Sequence, residues 1–312
     1  MEEQEAQSAL AGREALDKWI EVATSPSHKW GQTIGDFLEQ AVEKELYKFA
    51  QTHGLYLDQK GNRPARRGKK ISWVDSYGNS HDLDFVLERG GTASRIGEPV
   101  AFIESAWRRY TKHSRNKAQE IQGAVLPLVA RHKNLAPFIG AVLGGEFTNG
   151  ALSQLKSLGF NVLYFPYDQV IKAFEKFGVD AAFEEDTSRK DLRSKIAAWK
   201  KFKRGQELSE YLLKVHSAET RQFFDNLSRA VVRYVNSVSV TPLHGLTAPF
   251  ASVKEAISFI NDYDIKSGKL PVLKYEIVIK YNNGDKVEAT FADGTSATEF
   301  LNSYSAPAPK KD

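Results

Sequence analysis

The chain has no cysteine and a single methionine among its 312 residues. Without cysteine there are no disulfides, no thiolate metal sites and no cysteine nucleophile. Long apolar runs are also missing: none approaches the roughly 20 residues that cross a bilayer. The opening MEEQEAQSALAG is acidic and polar and lacks the apolar core of a secretory signal. A cytoplasmic protein with no membrane association is therefore expected. The 7 histidines are scattered without metal-ligand spacing. GGTASRIG and VLGGEFTNG are glycine-rich but fit neither a dinucleotide nor a P-loop fingerprint, and no serine–histidine–acid arrangement is visible. Charge of one sign is not in excess: a net charge of +4 implies little about partners by itself, so the clustering of charge has to be read instead. What remains is ordinary for a soluble globular protein, with 41% hydrophobic and 26% charged residues, and the length suffices for one large domain with additions.

The informative stretch is His81 to Glu120. In HDLDFVLERG, Asp82 and Asp84 alternate with Leu83, Phe85 and Leu87, which predicts a strand with both carboxylates on one face. In PVAFIESAW, Glu104 ends an apolar run that reads as a buried strand. A carboxylate there is costly unless it is paired or binds a cation. Adjacent strands carrying Asp84 and Glu104 would bring hard oxygen ligands together, as Mg2+ requires. The plainer alternative is that both acids form salt bridges with Arg108, Arg109 or Lys112, since ion-pair networks also gather acids and bases. The chain then turns basic through Arg108, Arg109, Lys112, His113, Arg115 and Lys117. Metal-ligand acids beside a basic tract point to a polyanionic substrate and hence to a nuclease. Arg63, Arg66 and Arg67, in the turn-rich DQKGNRPARRGKK, are expected to join Arg109, Lys112, His113 and Arg115 as phosphate contacts, unless the loop is merely solvated.

Around this stretch the apolar spacing predicts a helix over about Gly31 to His53, with Glu39, Glu43 and Glu45 beside its stripe, and a polar helix before it that Pro26 closes. ISWVDSY and HDLDFVLER read as a hairpin, and PVAFIESAW as the third strand. A helix from Ser114, kinked at Pro127, follows. APFIGAVLGG and NVLYFPY read as buried strands separated by a helix over Phe147 to Leu158, and DQVIKAFEKFG as a further helix. The order implies an α/β fold with a mixed central sheet flanked by helices. Residues 184–240 read as a basic helical extension whose apolar spacing serves core packing. VTPLHGLTAP reads as a linker, and 241–305 as a small helix–hairpin–helix α+β subdomain with a KYEIVIKY–NNG–DKVEATF hairpin. Residues 306–312 read as a disordered tail.

The succession of helix, hairpin with Asp84 in DLDFVLE, apolar strand with Glu104 in AFIESAW, and helix resembles the PD-(D/E)xK nuclease superfamily, which includes type II restriction endonucleases. The resemblance spans about Gly31 to Phe174, and makes 1–183 a nuclease core with N-terminal helices. It implies a restriction-endonuclease-like fold, Mg2+-dependent cleavage of specific double-stranded DNA sequences and a homodimer. Asp84 and Glu104 would be the metal ligands, with Glu43 assisting from the preceding helix. The family's lysine falls at Ala106. Three accounts compete: a neighbouring cation has taken over, Lys117, Arg108 or Lys112, with Glu120 joining the metal shell; the site is inactive and the protein only binds DNA; or a lysine has been replaced by alanine. The relocated cation is favoured by the density of the basic tract. A structure-selective repair nuclease or resolvase is a further alternative.

Overall fold

The computed structural model describes residues 25–263, 272–282 and 284–304. The helix expected near the N-terminus and the tail expected at 306–312 fall outside these, apart from Pro26, which opens a helix rather than closing one. Helix α1, Pro26–Thr52, starts on that proline, whose missing N–H and fixed φ suit a first helical turn. Its stripe of Trp30, Ile34, Phe37, Leu38, Ala41, Val42, Leu46 and Phe49 is buried. Gly54, at φ +62, turns the chain out of it.

The central sheet has five strands, β1 (Leu55–Gln59), β4 (Phe85–Arg89), β5 (Glu98–Arg108), β6 (Phe138–Gly145) and β7 (Asn161–Pro166), in the order β1-β4-β5-β6-β7. The first two pairings are antiparallel and the last two parallel. This is the mixed sheet that the sequence implies. Strand β1 was not foreseen, because LYLDQ is short and runs into a charged loop. The expected hairpin divides in two. β2 (Ile71–Val74) and β3 (Ser80–Leu83) form a separate two-stranded sheet, and the chain breaks at Asp84 before β4 enters the central sheet. Asp82 therefore does not share a face with Asp84 at the site. It is exposed on the small hairpin, bonded to Lys70 and Ser72.

The parallel half is wound through helices α2 (Ser114–Arg131), α3 (Asn149–Ser157) and α4 (Tyr167–Lys176), with a short 3-10 turn at Thr111–His113 before α2. Pro127 lies within α2, which continues through it. One face of the sheet packs on α2 and α3 through Phe102, Ala118, Ile121, Val125, Leu143 and Leu155. The other face is covered by α1, α4 and three further helices, α5 (Arg189–Lys201), α6 (Gly205–Val215) and α7 (Ser217–Val231). Leu192, Leu208, Leu212, Phe223 and Leu227 belong to the same buried cluster as Ile103 and Phe165. The stretch expected as an extension thus joins the core of the central sheet, because its apolar faces find the sheet.

The expected linker is strand at both ends, with a turn over 243–247 between. β8 (Val235–Pro242) and β9 (Ala248–Phe250) join β10 (Tyr275–Tyr281) and β11 (Lys286–Phe291) in a second sheet, ordered β11-β10-β8-β9. Helices α8 (Val253–Asp262) and α9 (Gly294–Asn302) close one face over Val238, Val240, Ile277 and Ile279. Serines and threonines at alternate positions hide β8 from a reading that looks for apolar runs. Among the described residues no helix is long and apolar enough to cross a membrane.

Candidate active site

Strand pairing builds the site. Phe85 lies opposite Ile103, which sets Asp84, at the break before β4, across from Glu104 on β5. The Ser105 N–H donates to Asp84 Oδ2 at 2.7 Å. Alternation along β5 then sends Phe102, Glu104, Ala106 and Arg108 toward the α2 side. Phe102 and Ala106 pack there with Ala118 and Ile121. Glu104 is 6% exposed, and its Oε1 is buried without a hydrogen-bond partner. A buried carboxylate oxygen left in that state is costly and calls for a proton or a cation. Burial first, then the Asp84 charge, push the Glu104 carboxyl up to about 8 against the pull of Lys117. Burial also raises Asp84, opposed by the Ser105 N–H, Lys117 and Lys60.

A third acid comes from α1. Burial and the charges of Asp84 and Asp36 raise Glu39 to about 7. The helix carries it to the strand ends because α1 lies close on β5: at Gly35 a Cβ would sit 3.3 Å from Trp107 Cβ, tighter than ordinary van der Waals contact. These elements enclose a groove of about 420 Å³ lined by Gln32, Glu39, Ser105, Ala106, Arg108 and Lys117, among others. The Trp107 indole N–H, on the same wall, also lacks a partner.

The sequence-stated residues divide clearly. Asp84, Glu104 and Lys117 come together, and Lys117 is the cation whose charge reaches both acids. Arg108 lines the groove and donates to the Trp107 carbonyl at 3.0 Å. Glu120, expected in a metal shell, is instead an exposed anchor for cations: its Oε2 lies 3.3 Å from Lys117 Nζ and 3.8 Å from Arg108 Nη2. Glu43 gives way to Glu39, one helical turn earlier. That spacing was legible, because positions 36, 39 and 43 share a helix edge. What decides between them is the closeness of α1 to β5 at Gly35, which the pattern does not encode. Lys60 is a further residue missed, since its loop position gave no sign that it faces Asp84.

Two of the proposed phosphate contacts are corrected. Arg63 is 5% exposed, donates to both oxygens of Glu88 at 2.6 and 2.8 Å, and also meets Asp58 at 2.8 Å. Its remaining donors go to the Thr92 and Arg95 carbonyls. Arg66 holds Asp58 and the Gln59, Gly68 and Lys70 carbonyls. Arg63 has no donor left for DNA, and Arg66 has one N–H on Nη2 beyond these bonds. Arg109 is also committed, to the Phe183 carbonyl and to Glu184, with its guanidinium 3.9 Å from the Tyr167 ring centroid. Lys112 pairs with Glu185 at 2.6 Å in the open. Arg67, His113 and Arg115 are exposed.

Among the described residues no three histidine, aspartate or glutamate side chains form a ready metal-binding group. A site of the Mg2+ kind does not need one, because that ion keeps several waters and takes one or two carboxylates, completing its shell on substrate phosphate. The orphaned Glu104 Oε1 beside Asp84 fits that donor set.

No protein-family model matches the chain, and no curated protein matches it. Among solved structures it is similar to the crystal structure of a protein of unknown function, AF1548, at 14% identity and a TM-score of 0.27, over 53% of this chain and 97% of that one. So slight a likeness carries no argument about fold or function.

Proposed function

We propose that the protein is a Mg2+-dependent deoxyribonuclease of the PD-(D/E)xK kind, a restriction endonuclease acting on specific double-stranded DNA as a homodimer. The observation that carries this reading is the buried Asp84–Glu104 pair, with Glu104 Oε1 unpartnered, under the charge of Lys117, which lines a groove with Glu39 and Ser105. Asp84 and Glu104 would hold the ion, and Glu39 would orient its waters from α1. Bound there, Mg2+ supplies charge neutralisation at phosphorus and a more acidic water. Lys117, which lines the groove with Ala106, would take the part of the family's lysine, its ammonium orienting the attacking water and balancing charge growing on the phosphate. Hydrolysis consumes one water and leaves a phosphate monoester and a hydroxyl.

Purified protein incubated with plasmid DNA and Mg2+ tests this. Discrete bands that vanish with EDTA are expected, and intact plasmid across a range of substrate sequences would defeat the assignment. The second reading, a DNA-binding protein without catalysis, draws on Ala106, which is packed at 8% exposure and contributes no charge to the groove. A parent that binds but does not cut, with an Ala106→Lys variant that cuts, would decide for it.

A further inference from the structure

Helix α5 carries six positive charges, Arg189, Lys190, Arg193, Lys195, Lys200 and Lys201, against the single acid Asp191. Packing explains only its other side. Leu192 is buried in the core, and Trp199 packs edge-on against Trp30 and Phe37, at 6.5 and 5.6 Å between ring centroids. Arg189, Lys190, Arg193 and Lys201 are exposed and carry no ion pair among the described residues. Between them the small residues Ser194, Ala197 and Ala198 are exposed, with Asp191 and Lys200 the other exposed positions. Asp191 is occupied with the Ser188 cap at the helix start.

The position of α5 relative to the groove gives this charge a direction. Both flank the N-terminal half of α1, the groove on the side of Gly31, Gln32 and Gly35 and α5 on the side of Trp30 and Phe37. The groove rim continues into α5: Phe183 lines the groove, Glu184 and Glu185 are neutralised by Arg109 and Lys112, and Arg189 follows Glu185 by four residues, a reach of at most about 14 Å. Asp186 is the acid left exposed on this path. α1 therefore lies between the groove and α5, and a helix with its side chains is about 10–12 Å across, comparable with the roughly 12 Å width of the B-DNA major groove. A duplex with one backbone in the groove can straddle α1 and set its other backbone toward α5.

We propose that the exposed basic face of α5 binds the phosphate backbone of the second strand of a DNA duplex whose first strand lies in the groove beside Asp84 and Glu104. The inference rests on the nuclease reading for the first strand. It adds that affinity for duplex, but not for single strands, depends on a helix remote from the acids. Each lost phosphate contact removes about 0.9 from the slope of log affinity against log salt on B-DNA.

The test uses the full chain with Asp84→Asn, so that nothing is cut, with and without Lys190→Glu, Arg193→Glu and Lys201→Glu. Each protein is titrated with a 20-base-pair duplex and with one of its strands at several salt concentrations. The triple variant is expected to lose about tenfold or more in duplex affinity, with a shallower salt slope, and to keep its single-strand affinity. The neutral triple of Lys190→Gln, Arg193→Gln and Lys201→Gln, checked by its melting temperature, should lose less in the same direction. Unchanged duplex affinity, or equal losses on both substrates, overturns the proposal. If the parent binds duplex through α5 but never cuts, the nuclease reading fails and the surface stands. If the parent cuts and the triple variant binds duplex as the parent does, the surface alone fails. A parent with no affinity for duplex overturns both.

Discussion

The strand pair β4–β5 holds two buried acidic clusters with opposite bookkeeping. At one end Glu88, fully buried, accepts from both terminal nitrogens of Arg63 and from the Gly97 N–H, while Asp58 is shared between Arg63 and Arg66. At the other end Glu104 is nearly as buried, yet one oxygen has no partner and the neighbouring charges of Asp84 and Glu39 repel it. The same residue type at similar depth does different work. Where every carboxylate oxygen has a donor, the acids tie the 59–70 loop to the sheet. Where an oxygen has none, the fold holds charge that only a ligand or a proton relieves. Stability is not a reason to keep the second cluster, and that makes it the place to look for chemistry.

Breaking each cluster should separate the two roles most widely. Asp84→Asn and Glu104→Gln are expected to lower cleavage by about a thousandfold, as loss of a key electrostatic element does, while leaving the melting temperature unchanged or raised. Arg63→Ala should cost about 3–5 kcal/mol of stability, because it strands Glu88 and Asp58 as buried unpaired charges. Urea unfolding of the three variants, beside plasmid cleavage, reads both effects. Marked destabilisation by Glu104→Gln, or none by Arg63→Ala, would erase the contrast.

The next largest effect concerns the cation. Lys117→Ala should slow cleavage about a hundredfold with little change in DNA affinity, because a charge directed at the transition state acts mainly there. Arg108→Ala should do less, since that guanidinium donates to the Trp107 carbonyl, whereas the charge of Lys117 reaches both Asp84 and Glu104. Single-turnover cleavage at saturating enzyme compares them. Equal rates for parent and Lys117→Ala would remove Lys117 from the reaction.

Much of this was legible in the chain because local pattern and tertiary role agree. Apolar runs marked β5, β6 and β7, and an acid ending such a run marked Glu104. The failures have a common cause. Arg63 and Arg66 look like solvated loop cations, and only the return of the chain past Glu88 and Asp58 shows them to be buried. The basic helix α5 looks like an appendage until Leu192 and Trp199 are seen in the core. Pairing partners distant in sequence decide both cases, and a one-dimensional reading has no access to them.

A smaller effect follows from the raised carboxyls. Their folded values lie above the ordinary range, near 7 for Glu39 and near 8 for Glu104, so the stability they contribute is complete below the unfolded values and is lost as pH rises through those two. The melting temperature in EDTA should therefore fall from mildly acidic to alkaline conditions, and Glu104→Gln should flatten that fall. Ion binding needs the deprotonated forms, so the gain in melting temperature on adding Mg2+ should grow with pH. A metal-free protein that becomes steadily more stable over the same range would contradict the assignment of these shifts.

The smallest effect separates neighbours on α1. Glu39 lies against Asp84 and is held protonated at acidic pH by burial and by that charge, whereas Glu43, one turn on, lies farther along the helix edge. A carboxylate that orients the waters around a metal, without being its principal ligand, typically changes affinity or activity by about 10–100-fold. Glu39→Gln should therefore raise the Mg2+ concentration needed for half-maximal cleavage by about tenfold, and excess Mg2+ should restore most of the rate. Glu43→Gln should leave the Mg2+ requirement where it is. The rescue matters because a packing defect would lower the rate without being reversed by the ion. If Glu43→Gln proves the more sensitive, α1 presents its later turn to the groove when DNA and Mg2+ are bound, and Glu39 owes its raised carboxyl to crowding alone.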